Sequence, residues 1–252
     1  EKRNLITMLD AGIRPDGRKL DEYRDITIET GVSETAEGSA LVTIGDTMVI
    51  AGVKVELGTP YPDTPDEGVL MVGVELSQIA SNDFESGPPR FDSIELARVT
   101  DRGIRESKSL DAKSLCLVKG EQVWMVNVDV TVMNDDGNLF DACGLAAIAA
   151  IKDAKFPKVV DGKADYNQKT KTSVPLKQVP LGVTVIKIGT HLLVDPTLKE
   201  MQFMESRLTV TSIEDGTICA MQKGGSAPFK VEDVTTMVDL GVSKAKDLRK
   251  LL

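Results

Sequence analysis

The stretch VWMVNVDVTVM (residues 123–133), NDDGN (134–138) and LFDACGLAAIAAIKDAK (139–155) decides the fold of this chain. In its first part, valine recurs at every second position from 126 to 132 and alternates with polar residues, which predicts a strand with one buried face. The second part is rich in turn-forming residues and ends that strand. The third part consists mainly of small, apolar residues, which predicts a largely buried helix. The stretch is therefore a strand-turn-helix unit.

Similar patterns recur on both sides of this unit. A short helix is predicted over 4–11, and a long one over 231–252 with a break near Gly241. Alternating runs separated by Gly-containing turns predict further strands and hairpins. These runs are 41–44, 48–55, 69–76, 183–188, 192–194, 206–213 and 217–222. We therefore predict an α/β (α+β) fold with mixed sheets and packed helices, in which two halves repeat a plan of hairpins followed by helices.

Composition suggests how the chain is divided. Residues 157–180 are polar, rich in lysine and interrupted by prolines, which is typical of a linker. We predict an N-terminal extension over 1–23, a first half over 24–156, this linker over 157–180, and a C-terminal half over 181–252.

The overall charge and the scarcity of reactive side chains exclude several classes of protein. The chain has 252 residues, a net charge of -9, one histidine and three separated cysteines. An acidic protein does not coat itself with nucleic acid, so any such binding must be local. With a single histidine and no cysteines at metal-ligand spacing, the chain has few residues for a zinc site or a histidine-based catalytic triad. The separated thiols are typical of a protein in a reducing compartment. The charged first ten residues predict no signal peptide, and the longest apolar run, 145–151, is too short to span a membrane.

A row of arginines stands out against this acidic background. In ELARVTDRGIR (95–105), a helical period places Arg98, Arg102 and Arg105 within roughly 60° of one another, opposite an apolar side. Asp92 and Glu95 resemble a capping box, so we predict that the helix begins at Ser93.

Two interpretations of the arginine row are open. Planar, permanently charged guanidinium groups suit the oxygens of phosphate, which favours an anion-binding face. Acidic residues at 95, 101 and 106 lie three or four positions from the arginines, and those spacings also permit ordinary ion pairs along a solvated helix.

Four ordered motifs carry a family resemblance. They are RPDGR (14–18), EGSA (37–40), GDT (45–47) and the arginine segment 95–105. In this order and spacing, the chain resembles the RNase PH family over nearly its whole length. It is most similar to the catalytically silent ring subunits of archaeal exosomes.

This resemblance implies a duplicated βαβα fold and a six-membered ring with a central channel. It implies a heterodimer with a catalytic RNase PH-type subunit, repeated three times, together with RNA-binding cap subunits. Such rings degrade single-stranded RNA from its 3′ end by phosphorolysis, with inorganic phosphate as co-substrate. The resemblance further implies that Arg98, Arg102 and Arg105 bind the RNA backbone, in the cytoplasm and away from any membrane.

Departures from the active members of the family imply that this chain has no catalytic residue, metal site or cofactor of its own. Active members have a Gly-rich phosphate loop with Thr or Ser and Arg, whereas residues 135–140 read DDGNLF, a plain turn with Asn138 as helix cap. Active members also carry two aspartates after a segment similar to LVDP (193–196), and these positions fall at Met201 and Arg207. Inorganic phosphate is then expected at the partner's site. Asp195, Glu200 and Glu205 are acids nearby, and a shift in the alignment would bring one of them to a catalytic position.

Two other functions stay open at this point. The chain could be a stand-alone phosphorolytic exoribonuclease of the RNase PH type, or a purely structural ring scaffold whose arginines pair only with carboxylates. Sheet edges such as residues 183–188 are candidates for contacts between subunits.

Overall fold

The computed structural model describes residues 2–160 and 162–252 and divides them into three sheets and packed helices. The α-helices are α1 (Lys2–Asp10), α2 (Phe91–Glu106), α3 (Leu139–Asp153), α4 (Leu198–Met201) and α5 (Val231–Leu248). The strands of the first half are β1 (Ile26–Thr30), β2 (Gly38–Ile44), β3 (Thr47–Gly58), β4 (Val69–Leu76), β5 (Cys116–Val118) and β6 (Gln122–Asn134). The later strands are β7 (Lys155–Val160), β8 (Lys163–Ser173), β9 (Leu181–Ile188), β10 (His191–Val194), β11 (Ser206–Ser212) and β12 (Ile218–Gly225).

The predicted strand-turn-helix unit lies at the centre of the first sheet. That sheet has the order β1-β2-β3-β6-β4, with β5 paired to β6, and it is antiparallel except between β4 and β6. The alternate valines of β6 are buried, as their period of two predicts. Helix α3 follows at the turn and packs on β2 and β3.

The second half is built around a four-stranded antiparallel sheet in the order β10-β9-β11-β12. Helix α5 packs on β9 and β11, and α3 also contacts β9. Both halves therefore share one hydrophobic core through α3, whose small side chains allow close approach on several sides. Strand β9 lies inside this sheet, so the prediction that residues 183–188 form an edge is wrong.

The predicted linker contains ordered structure. Strands β7 and β8 pair as an antiparallel hairpin within or beside residues 157–180. Most of their side chains are exposed or half-buried on both faces, so no buried face imposes a period on the sequence. The segment predicted as a linker therefore includes part of a two-stranded hairpin.

Helix α2 lies across the junction of the two halves. It packs on β4, α3 and β12, and its buried side includes Leu96 and Ile104. The helix begins at Phe91, with the extended residue Arg90 at its N-cap and no side-chain cap, so the predicted capping box and start at Ser93 are wrong.

Helix α5 differs from its prediction in one respect. It continues through Gly241, where a Cβ atom would lie 3.1 Å from Val210 on β11. The glycine permits close helix-sheet contact and does not break the helix. Within the described ranges, no helix is long and apolar enough to cross a membrane.

Candidate functional site

The three arginines of α2 share one side of the helix and differ in their contacts. Arg98 is exposed and makes no ion pair or hydrogen bond within residues 2–160 and 162–252. Arg102 is half-buried, and its Nη1 donates to Oε1 of Gln222 at 3.2 Å. The side chain of Arg105 is 62% exposed. The helix therefore presents guanidinium groups to solvent on one side, as its period predicts.

The intrahelical ion pairs form only in part. Arg105 lies 3.3 Å from Asp101 and 3.7 Å from Glu106. Burial raises the pKa of Asp101 although Arg105 lowers it, so the carboxylate is only partly compensated by this pair. The pairs suggested by spacing between Glu95 and Arg98 and between Arg102 and Glu106 are absent from the part of the chain that the structure describes. The solvated, salt-bridged interpretation thus fits Arg105 and does not fit Arg98.

Glu95 turns instead toward the second half. Its Oε2 accepts from Nη2 of Arg207 at 2.7 Å, and its Oε1 accepts from Nε2 of Gln222 at 3.3 Å. The guanidinium of Arg207 lies 4.1 Å from the ring centroid of Phe140. A Cβ atom at Gly224 would lie 2.4 Å from Cζ of Arg207, so a larger residue there would displace this guanidinium.

A cavity of about 270 Å³ lies beside this contact. Met201 and Arg207, the positions at which the family resemblance implies acids in active members, both line it. Residues of the 135–140 loop, including Asp135 and Phe140, line the same cavity. The structure therefore places the 135–140 loop and the segment of Met201 and Arg207 around one mainly apolar cavity, with a cation at a position where the resemblance implies an acid.

The 135–140 loop offers little to a phosphate. The backbone N–H of Gly137 donates to Oδ1 of Asp135 at 2.9 Å, and that of Asp136 donates to Oγ1 of Thr47 at 3.1 Å. Burial raises the pKa of Asp135, and Arg24 pairs with Asp136 at 2.9 Å. Donors that would face an anion in a phosphate cradle are thus occupied within the protein.

Asn138 occupies the N-cap position of α3 but does not act as a capping side chain. Its backbone is left-handed, with φ of 57°, and no side-chain cap bond forms. Its Nδ2 instead donates to Oδ1 of Asp195 at 2.9 Å and to Oδ2 of Asp141 at 3.2 Å. The prediction of an Asn138 cap is therefore wrong: the two carboxylates hold the side chain through its Nδ2, and its Oδ1, the atom that would accept the capping bond, has no partner among the described residues.

The acids near the LVDP segment are committed to structural contacts. Asp195 is buried and paired with Arg18 at 2.8 Å and with Arg24 at 2.8 Å. Burial alone would raise its pKa, but the hydrogen bonds and charge of Arg24 hold that pKa below its ordinary value. Glu200 binds Arg14 through two hydrogen bonds, 2.9 Å and 2.5 Å long.

Glu205 pairs with Lys2 at 2.9 Å, and Lys2 lowers the pKa of its carboxyl group. Neither this residue, nor Asp195, nor Glu200 lines the cavity. The acids that a shifted alignment could have brought into a catalytic role therefore lie elsewhere.

Sequence reasoning missed Gln222 as a residue of this site, and it missed Phe140 and Glu95 as partners of Arg207. Glu95 is separated from Arg207 by 112 positions and from Gln222 by 127. Helical spacing assigns a carboxylate to its neighbours on the same helix. Only the packing of α2 against β11 and β12 offers Glu95 the alternative.

Two family models match the chain in order. The model for the 3′ exoribonuclease family, domain 1 (RNase PH), matches residues 22–157, and the model for domain 2 of that family matches residues 178–244. Among individual relatives, the exosome complex component Rrp42 of Thermococcus gammatolerans is 48% identical over 256 residues, which cover 98% of this chain and 92% of that protein.

Solved structures match over the same length. The Archaeoglobus fulgidus exosome with RNA bound to the active site contains a chain that is 43% identical, with a TM-score of 0.92, and the match covers 99% of this chain and 96% of that one. An archaeal exosome core contains a chain that is 40% identical, with a TM-score of 0.87, and the match covers 99% of this chain and 94% of that one.

Proposed function

This chain belongs to the 3′ exoribonuclease (RNase PH) family and to its Rrp42 group of exosome components, and from that premise we propose that it is the non-catalytic, RNA-binding subunit of an archaeal-type exosome ring. The ring is a phosphate-dependent 3′ to 5′ exoribonuclease. The RNase PH-like α/β fold expected from the sequence is confirmed by the likeness to solved exosome chains.

The 135–140 loop, whose backbone N–H groups at Asp136 and Gly137 are bonded within the protein, supports the absence of catalysis in this subunit. Phosphorolysis needs a bound phosphate as nucleophile and a proton for the leaving oxygen. Here the carboxylates of Asp135 and Asp136 would repel phosphate, and Met201 cannot carry a proton. Arg207 places a permanent positive charge where a magnesium ion would otherwise be attracted. Inorganic phosphate, the co-substrate, therefore binds at the partner's site, and this chain carries no cofactor of its own.

The observation that carries the RNA-binding role is the exposed arginine side of α2. Arg98 is exposed and forms no ion pair with any described residue, Arg102 is held by a neutral amide, and Arg105 is largely exposed. In a protein of net charge -9, this concentrates positive charge locally. Phosphates of a single strand would be held here while its 3′ end lies in the partner's active site.

The assembly that fits this division of labour is a heterodimer with a catalytic RNase PH-type subunit, repeated three times in a six-membered ring. Cap subunits that bind RNA would deliver the strand to its channel. The support is the match to an archaeal exosome core over almost the whole chain. We place this complex in the cytoplasm, where RNA is degraded in cells without a nucleus.

A turnover assay tests the proposed division of labour. The purified chain, its catalytic RNase PH-type partner and the assembled ring are each incubated with single-stranded RNA and inorganic phosphate, and release of nucleoside diphosphates is measured. We expect no release by this chain alone and phosphate-dependent release by the ring. Release by this chain alone would identify it as a stand-alone phosphorolytic exoribonuclease and would overturn the proposal.

A further inference from the structure

A chain of four side chains runs from the cavity to the arginine side of α2. Arg207 binds Glu95 at 2.7 Å, Glu95 binds Gln222 at 3.3 Å, and Gln222 accepts from Arg102 at 3.2 Å. We call these four residues the relay. It connects a position at which active relatives carry an acid to a residue that we assign to RNA binding.

The place of Glu95 in the relay has a consequence for Arg98. Residues three apart on a helix are neighbours, so Glu95 could reach Arg98 and neutralise it. In the structure both carboxylate oxygens of Glu95 are engaged by the second half, one by Arg207 and one by Gln222. Arg98 is consequently not paired with Glu95 and lies on the exposed side of the helix.

Arg207, which binds Glu95, is held firmly in place by its surroundings. Its side chain is 8% exposed and is packed between the ring of Phe140 and the backbone at Gly224. Among the described residues, its Nη1 atom is buried with no hydrogen-bond partner. Leaving a buried donor unsatisfied is costly, and a buried ion pair adds little to stability compared with apolar packing. An apolar side chain could therefore fill this position at little cost in stability.

We propose that Arg207 is a positioning residue for RNA binding: it holds Glu95 away from Arg98 and, through Gln222, fixes the orientation of Arg102. The inference rests on the proposed function, because it requires that the arginine side of α2 binds RNA. Position 207, where the resemblance implies an acid in active members, thus has a different role in this chain: its arginine orders the side of α2 that binds RNA.

The test uses the ring assembled with its catalytic subunit and a fluorescent oligoadenylate, without phosphate, so that binding is measured with no turnover. The first variant is Arg207→Met, which keeps an apolar stem against Phe140 and removes the partner of Glu95. We expect Glu95 to pair with Arg98, RNA affinity to fall by about threefold to tenfold, and the slope of log affinity against log salt to become shallower by about one.

A second substitution separates positioning from packing. In Arg207→Met with Glu95→Gln, the carboxylate at position 95 that could pair with Arg98 is gone, and the amide at that position can still bond to Gln222. We expect affinity and salt slope to return to within about twofold of the unmodified ring. Lys223→Met is the matched control, since it removes one positive charge from the opposite face of β12. It should leave affinity unchanged.

The outcomes separate this inference from the function on which it rests. If Arg98→Ala does not weaken RNA binding, the proposed role of the arginine side of α2 is wrong. If Arg98→Ala weakens binding but Arg207→Met does not, or if Glu95→Gln fails to rescue it, the inference alone is wrong. Should Arg207→Met prevent ring assembly, Gln222→Leu interrupts the relay with the ion pair intact. A loss of affinity then supports the relay, and unchanged affinity contradicts it.

Discussion

At the scale of single residues, buried charges decide what the LVDP segment does. Asp195 has a left-handed backbone, with φ of 44°, and its carboxylate is fully buried among Arg18, Arg24 and Asn138. An acid held in this way binds the N-terminal segment to the second half of the protein. Its sequence context suggests catalysis, and its contacts indicate a structural role.

Replacing this acid by its amide isolates the charge, because asparagine also tolerates a left-handed backbone. We expect Asp195→Asn to lower the free energy of unfolding near neutral pH by about 3–5 kcal/mol, since two arginines lose their buried counter-charge. Urea denaturation measures this loss. The pKa of Asp195 is lowered in the folded state, so its charge stabilises the protein at pH values above the ordinary pKa of an aspartate. The difference in unfolding free energy between the variant and the unmodified protein should therefore shrink as the pH falls below about 4. A difference that does not vary with pH would contradict this account.

A second buried acid has the opposite pH dependence. Burial raises the pKa of Asp141 from 3.8 to about 7, although Tyr23, Thr184 and Asn138 all donate hydrogen bonds to it. Between those two pH values the folded protein retains a proton that the unfolded chain has lost. The stabilisation that the protonated Asp141 provides is therefore fully present below pH 3.8 and declines by about 1.4 kcal/mol per pH unit as the pH rises toward about 7.

The variant Asp141→Asn cannot titrate, so it removes this decline. We expect its free energy of unfolding, relative to that of the unmodified protein, to rise steadily between about pH 4 and pH 7. Denaturant titrations at several pH values provide the comparison, and two parallel stability curves would refute the expectation.

Sequence reasoning reached the exposed half of the site and missed the buried half. Helical period places Arg98, Arg102 and Arg105 together from their spacing alone, and the structure agrees. The partner of Glu95 is Arg207, on another element in the other half of the chain. Local spacing holds no information about such a contact, which arises only when α2 packs on the second sheet.

At the scale of elements, predictions were accurate where one face is buried. The strand and helix predicted over 123–155 match β6 and α3 closely, because burial of one face or of a whole helix imposes a period or an apolar run. The β7–β8 hairpin was missed because it is largely exposed on both sides. The start of α2 was misplaced because Arg90, rather than an oxygen-bearing side chain, occupies its N-cap.

Packing between elements also explains one glycine of the EGSA motif. Gly38 begins β2, and a Cβ atom there would lie 2.4 Å from the carbonyl oxygen of Ala150 in α3. We expect Gly38→Ala to push helix and sheet apart and to reduce stability by about 1–3 kcal/mol or more. Gly73→Ala on β4 is the matched control, since its new methyl group would meet only Asp129 at an ordinary 3.5 Å. Equal midpoints of thermal unfolding for the two variants would contradict this explanation.

At the scale of the whole molecule, one core and several long-range ion pairs hold the two halves in a fixed relation. Helix α3 packs on both sheets, and Arg14 and Arg24 of the N-terminal segment bind Glu200 and Asp195 of the second half. The arginine side of α2 depends on this relation, because Glu95 and Arg102 are oriented by β11 and β12. An acidic protein thereby presents a local cationic surface whose geometry is set by both halves.

The most direct test of this account measures RNA binding by an assembled ring whose copies of this chain carry Arg98→Glu and Arg102→Glu. Binding of a single-stranded oligoadenylate is measured without phosphate over a range of salt concentrations, and the ring is sized by light scattering. The account predicts an intact ring, much weaker binding, and a salt slope shallower by about one to two units. An intact ring that binds RNA with unchanged affinity and slope would contradict it and would leave this chain as a structural scaffold.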